Sequence, residues 1–243
     1  MNVVRPNCRL QFTAEDVAFI LSVLGTNAGS SAEALVQLLA DEASRDLILD
    51  DETLFRAVLE RQHCLRISPQ LYFYVLVRQV FRQSGILGRD VADYVAEMLA
   101  EFSQVERTRF RPPGQPASGN CFFEMLAALQ SADDTTRFLI RAHIGNYSLF
   151  LSGVFPERIR FQEERRGAPG LRYYEGLGRA SYRVASGHRL ARKYDVDGIF
   201  NTLAERFEET RCALNDLADR LVSLGDGGAS VEGLLRKAFA STE

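Results

Sequence analysis

The chain reads as an all-α protein, a multi-helix bundle arranged as one body or as two packed helical lobes. Three observations carry that expectation. Apolar residues recur at steps of three and four along most of the 243 residues, the spacing that puts them on one side of a helix. Strand-type alternation is nearly absent. Helix-start residues, among them Thr13, Asp51, Ser68 and Asp133, stand directly before the periodic stretches, where a side-chain oxygen can accept from an otherwise unpaired backbone N–H.

Taken in order, Thr13 with Glu15 and Asp16 behind it predicts a first helix running to Leu24. A Gly/Ser turn over residues 26–31 precedes a second helix from near Ser31. Asp50 and Asp51 precede a helix carrying Leu54, Val58 and Leu59, and Ser68 with Pro69 opens the stretch LYFYVLVRQVF, which is apolar on most faces; proline suits the first turn because its missing N–H has no partner there. Gly85 and Gly88 close it, and Val91, Tyr94, Val95, Met98, Leu99 and Phe102 mark an amphipathic helix;. Residues 107–120, RTRFRPPGQPASGN, hold three prolines and two glycines, the composition of a linker. They divide an expected N-terminal lobe, 1–106, from a C-terminal lobe, 121–243.

Beyond the linker, residues 122–129 read as a short helix, and Asp133, Asp134 and Thr135 open a long one that Pro156 ends. Over residues 200–224, Phe200, Leu203, Phe207, Leu214, Leu217, Leu221 and Leu224 form a heptad seam with Thr210 in its polar slot. Such a seam serves one helix of an intramolecular bundle or one half of a coiled-coil homodimer, and the bundle is the preferred reading. Gly225, Gly227 and Gly228 then separate a last short helix at 231–239.

Composition narrows the function classes. With a formal charge of −3 and no long charged run, the whole surface offers little attraction to nucleic acid or anionic lipid. Nearly every basic residue is arginine, which we ascribe to genome composition. The opening MNVVRPNCRLQF is no signal peptide, and the longest apolar stretch is interrupted by Arg141, His143 and Asn146, so a cytoplasmic protein without a membrane span is expected. Cys8, Cys64, Cys121 and Cys212 lie far apart with no CxxC pair, so neither metal nor dithiol chemistry is expected. His63 and Cys64, as helix neighbours, would point about 100° apart. There is no phosphate-loop GxxxxGK[ST], no HExxH and no GxSxG;. No cofactor follows, and catalysis is the weaker expectation.

Two segments supply candidate site residues. Residues 138–155, FLIRAHIGNYSLFLSGVF, are apolar nearly all round at helical spacing yet contain Arg141, His143, Asn146 and Tyr147. Polar groups in a buried helix need partners. On a helical wheel His143 and Asn146 share one side, while Arg141, Gly145 and Ser148 share another. In residues 171–188, LRYYEGLGRASYRVASGH, one face carries Arg172, Glu175, Arg179 and Arg183, and the opposite face carries Tyr174, Leu177, Gly178, Ser181 and Ala185.

The leading expectation is a binding or regulatory protein acting through protein contacts, homodimerisation among them. The alternative is a small-ligand sensor or enzyme whose anion site combines Arg141, His143, Tyr147, Tyr174 and Arg179, with Arg141 fixing the anion and His143 moving a proton. A third is local nucleic-acid contact through residues 157–193, where basic residues outnumber acidic ones ten to four and Tyr173, Tyr174 and Tyr182 are interleaved;. No RNP, KH or zinc-finger pattern accompanies them, so it is the least favoured.

Overall fold

In a computed structural model of the protein, residues 4–28, 32–60, 67–103 and 122–224 are described. The linker at 107–120, His63, Cys64 and the helix expected at 231–239 lie outside them. The described residues form thirteen α-helices, one 3-10 turn and no strand. The turn is Cys8–Leu10, and the helices are α1 Ala14–Ala28, α2 Ala32–Ala40, α3 Glu42–Leu49, α4 Glu52–Glu60, α5 Pro69–Gln83, α6 Arg89–Phe102 and α7 Phe122–Ser131. They continue with α8 Asp134–Val154, α9 Pro156–Arg166, α10 Leu171–Ser186, α11 Arg189–Lys193, α12 Asp197–Glu205 and α13 Phe207–Leu224.

The starts follow from local chemistry. Ser68 accepts from the N–H of Leu71 with Pro69 in the first turn, and Asp133 accepts from the N–H of Thr136 at 2.8 Å. Thr13 accepts from Asp16 N–H while Asp16 accepts from Thr13 N–H, a reciprocal arrangement that satisfies two exposed donors at once. Asp16 also accepts from both the backbone N–H and the hydroxyl of Ser68 at 2.6 Å. One buried carboxylate therefore joins the starts of α1 and α5. The first helix runs past Leu24 to Ala28, since nothing before Ala28 forces it to stop.

Helix α8 is the central strut: α7, α9, α10 and α13 all pack on it. Helices α5 and α6 form an antiparallel pair around Gly85, whose φ of +73° is strained for any residue with a Cβ. Helix α5 packs on α13 and α6 on α12, so helices from both sides of 107–120 share one hydrophobic cluster.

The heptad stretch is not one helix. The backbone breaks at Arg206, with φ −111° and ψ 33°, and restarts at Phe207. The guanidinium of Arg206 donates to the carbonyls of Gly85 and Ser84 at 2.7 and 3.4 Å, at the negative C-terminal end of α5. Phe207 meanwhile turns under α10, where a Cβ added to Gly178 would stand 2.5 Å from its ring. Two tertiary contacts thus outweigh about one turn of helical hydrogen bonding. The seam stays inside as far as Leu217: Phe200, Leu203, Phe207, Thr210, Leu214 and Leu217 are all buried against the same chain, Leu221 is half-buried, and the Leu224 side chain lies outside those described.

Candidate functional site

Of the sequence candidates, the polar residues of α8 go three different ways. Asn146 points into the core, where its Oδ1 accepts from the hydroxyls of Tyr94 and Tyr182, both at 2.8 Å. Burial pushes both phenols well above their ordinary range, so they stay neutral donors. Tyr182 is fully buried, which removes it from the tyrosines expected to stack on nucleic-acid bases. A Cβ on Gly145 would stand 2.8 Å from the Tyr182 ring, so the small residue is what lets α8 and α10 close on this node.

His143 packs in a different direction. Its ring lies edge-on to Phe102 and parallel to Tyr147, with centroids 5.8 and 6.1 Å away. Tyr147 and Tyr174 both meet Phe122, at 5.2 and 5.3 Å. These three candidates therefore line one aromatic row. Arg141 does not join them, because it leaves α8 on the α10 side and lines a separate cleft. Arg179 stands half-buried with its Nε unbonded, Arg183 is exposed, and Glu175 is paired with Arg211, 2.5 Å from its Nε. The five residues expected to converge on an anion are thus spread over separate places, since positions two apart on a helix diverge by about 200°.

The cleft that holds Arg141 has a volume of about 320 Å³ and lies among α7, α8, α10 and the start of α11. Leu129 and Val184 supply its accessible apolar wall over the buried Phe138 and Ala185, and Arg137, Arg141, Asp134 and His188 supply the polar groups. His188 is the N-cap of α11, its Nδ1 accepting from Leu190 N–H at 3.1 Å. That bond places the ring proton of the neutral form on Nε2, which stands 3.1 Å from Asp134 Oδ1. The contact with His188, helped by Arg189, holds the Asp134 carboxyl below its ordinary value.

A second polar assembly lies in the N-terminal half, and sequence reasoning missed it. Asp93, 1% exposed, accepts from Cys8 N–H at 2.6 Å and from Arg9 Nε at 3.0 Å. Arg9 also reaches Asp46 at 2.8 Å. Asp50 receives Arg78 at 2.8 and 3.2 Å and Arg89 at 2.9 Å, while Arg89 stands 3.5 Å from Asp46. The Cys8 thiol donates to Glu97 at 3.1 Å, and burial together with Glu97 pushes its pKa far up. The cluster fastens the 3-10 turn, α3, α5 and α6 to one another. Asp93 and Glu97, four apart inside an apolar run, carry the same signal that singled out residues 138–155. Among the described residues no group of three or more His, Cys, Asp or Glu is placed to hold a metal ion, and no helix is long and apolar enough to cross a membrane.

The third feature is the corner between α9 and α10. Helix α9 ends at Gly167 in the left-handed conformation, φ +62°, and Gly170 starts α10 against the Glu163 side chain. On this corner Phe161 and Tyr173 stand 53% and 43% exposed, and the Arg165 guanidinium lies 5.1 Å over the Phe161 ring. Nine of the ten basic residues in 157–193 are exposed, Arg179 being the exception.

No protein-family model matches the chain, and comparison with curated proteins and with solved structures finds no match.

Proposed function

We propose that the protein is a helical docking module that holds an acidic segment of a protein partner on the arginine-rich corner of α9 and α10. The observation that carries this reading is the exposure of nine of the ten basic side chains in 157–193 beside the solvent-facing rings of Phe161 and Tyr173. Arginine and aromatic side chains together favour protein contacts: a guanidinium forks onto carboxylates and an aromatic ring supplies apolar area with little loss of side-chain freedom. Glu163 and Glu164 stand exposed on the same helix. They repel the continuous phosphate row of a nucleic acid, while a peptide can place its carboxylates between them. The polar residues of α8 and α10 support this reading too, since Asn146 and Glu175 are already engaged by partners within the chain.

A fluorescein-labelled peptide of alternating glutamate and leucine tests the reading by anisotropy. It is expected to bind saturably and to lose about tenfold or more in affinity in the double variant Arg165→Glu/Arg172→Glu, with weakening at high salt. Arg56→Glu, on α4, is expected to bind as the parent does. A single-stranded oligonucleotide of equal charge that binds more tightly than the peptide replaces the protein partner with nucleic acid. Absence of peptide binding, or indifference to the charge reversal, rejects the proposal.

A further inference from the structure

The cleft among α7, α8, α10 and α11 contains a charge that the fold leaves uncompensated. Arg141 is half-buried, and among the described residues no carboxylate or carbonyl pairs with its guanidinium. A partly dehydrated cation without a counter-ion is unfavourable until an anion joins it. Arg137, one turn earlier on α8, uses its Nε on the Leu129 carbonyl at 3.3 Å, which fixes the side chain beside the same cleft and leaves its terminal nitrogens for a ligand.

The cleft's own carboxylate does not fill that role. Asp134 is engaged at the cleft's edge by His188 Nε2 at 3.1 Å and by Arg189 at 3.3 Å. Its negative charge also disfavours a dianion entering beside it. The accessible apolar wall comes from the exposed Val184 on α10 and the partly buried Leu129 on α7, over a floor in which the buried Phe138 ring stacks on His188 with centroids 5.0 Å apart and planes 19° apart. A volume of about 320 Å³ admits a body the size of one substituted ring.

We infer that this cleft binds a small organic monocarboxylate, with Arg141 gripping the carboxylate, Arg137 assisting from the rim, and the ligand's apolar body lying along Leu129 and Val184. The inference does not rest on the α9–α10 docking corner, because it uses neither Arg165 nor Arg172.

Benzoate, benzamide and inorganic phosphate serve as probes in titrations followed by amide ¹H–¹⁵N spectra of the full chain. Benzoate is expected to shift amides of α8 and of the α10–α11 junction saturably, while benzamide, equal in shape and uncharged, leaves them in place. Arg141→Gln is expected to weaken benzoate about tenfold or more and Arg137→Gln by less, as a direct and a rim contact to a carboxylate should differ. Arg220→Gln, on α13, should bind as the parent does. Equal shifts with benzamide, tighter binding of phosphate than of benzoate, undiminished binding by Arg141→Gln, or no benzoate response each overturn the inference. Should Arg141→Gln fail to give a dispersed spectrum, the contrast between benzoate and benzamide on the parent protein decides it.

Discussion

Around the 3-10 turn, three aspartates meet Arg9, Arg78 and Arg89 in a charged network that reaches an Asp93 side chain only 1% exposed. At the crossing of α8 and α10, equally deep, Asn146 meets two tyrosines and no charge at all. Both regions satisfy polar groups away from water, but the first does so with groups that titrate and the second with groups that stay neutral. A buried ion pair must offset the dehydration of both charges, so it tolerates loss of one partner badly. A neutral hydrogen bond adds about 1 kcal/mol net, and a buried neutral group left without any partner costs about 1–3 kcal/mol. The charged region should therefore respond to pH and the neutral one to shape.

The largest effect expected lies outside the charged region, on α13. Leu214→Asp puts a charge among buried side chains next to Gly153, where a Cβ would already come within 3.0 Å of Leu214. A loss of roughly 4 kcal/mol or more is expected, enough to unfold the chain in circular dichroism. A folded monomer from a parent that elutes as a dimer would instead move this part of the seam to an interface between copies.

Arg78→Leu comes next. It leaves Asp50 with Arg89 at 2.9 Å and the more distant Arg82 at 3.9 Å in a site where the Asp50 side chain is 12% exposed, and a loss of about 3 kcal/mol is expected in denaturant unfolding. A loss below about 1 kcal/mol would mean that this network behaves like surface pairs.

The pH dependence sharpens the contrast within the charged region. Burial pushes the Asp50 carboxyl up, but hydrogen bonds from Arg78 and Arg89 outweigh it and hold the pKa below the ordinary value. Its contribution is therefore full above the unfolded-state pKa of about 3.9 and is lost as pH falls through the lower folded value. Asp93 has the opposite sign: burial outweighs Arg9 and raises its pKa, so the folded state holds that proton more tightly and gains relative stability as pH falls through the raised value. Asp50→Asn should flatten the acid limb of stability against pH, and Asp93→Asn should steepen it. Parallel limbs in the two variants would contradict the assignment.

Tyr182→Phe is expected to have the smallest effect, about 1 kcal/mol, independent of pH across the acid range, since it removes one of two donors to Asn146 Oδ1 and leaves the ring packing intact.

How much of this was legible beforehand depended on whether a residue's partner lay near it in the chain. Thr13, Ser68, Pro69 and Asp133 act within one turn of themselves, and each opens the helix expected of it. Residues 138–155 were legible as a buried strut with polar groups needing partners, but the partners were not: Tyr94 and Tyr182 lie 52 and 36 residues away from Asn146. Asp93 and Glu97 carried the same polar-in-apolar signal as Arg141 and His143, yet their meaning depends on a 3-10 turn 85 residues earlier.

By itself, then, the sequence determined the all-helical class, the starts of α1, α5 and α8, and the burial of α5 and α8, because periodicity and capping are local properties of the chain. Only the tertiary structure decided that the heptad seam breaks at Arg206 and that Arg141 leaves its expected companions for a cleft of its own. It also decided that four carboxylates and their arginines close into one cluster. Those outcomes depend on which distant group fills the space beside each side chain, and no spacing along one helix records that.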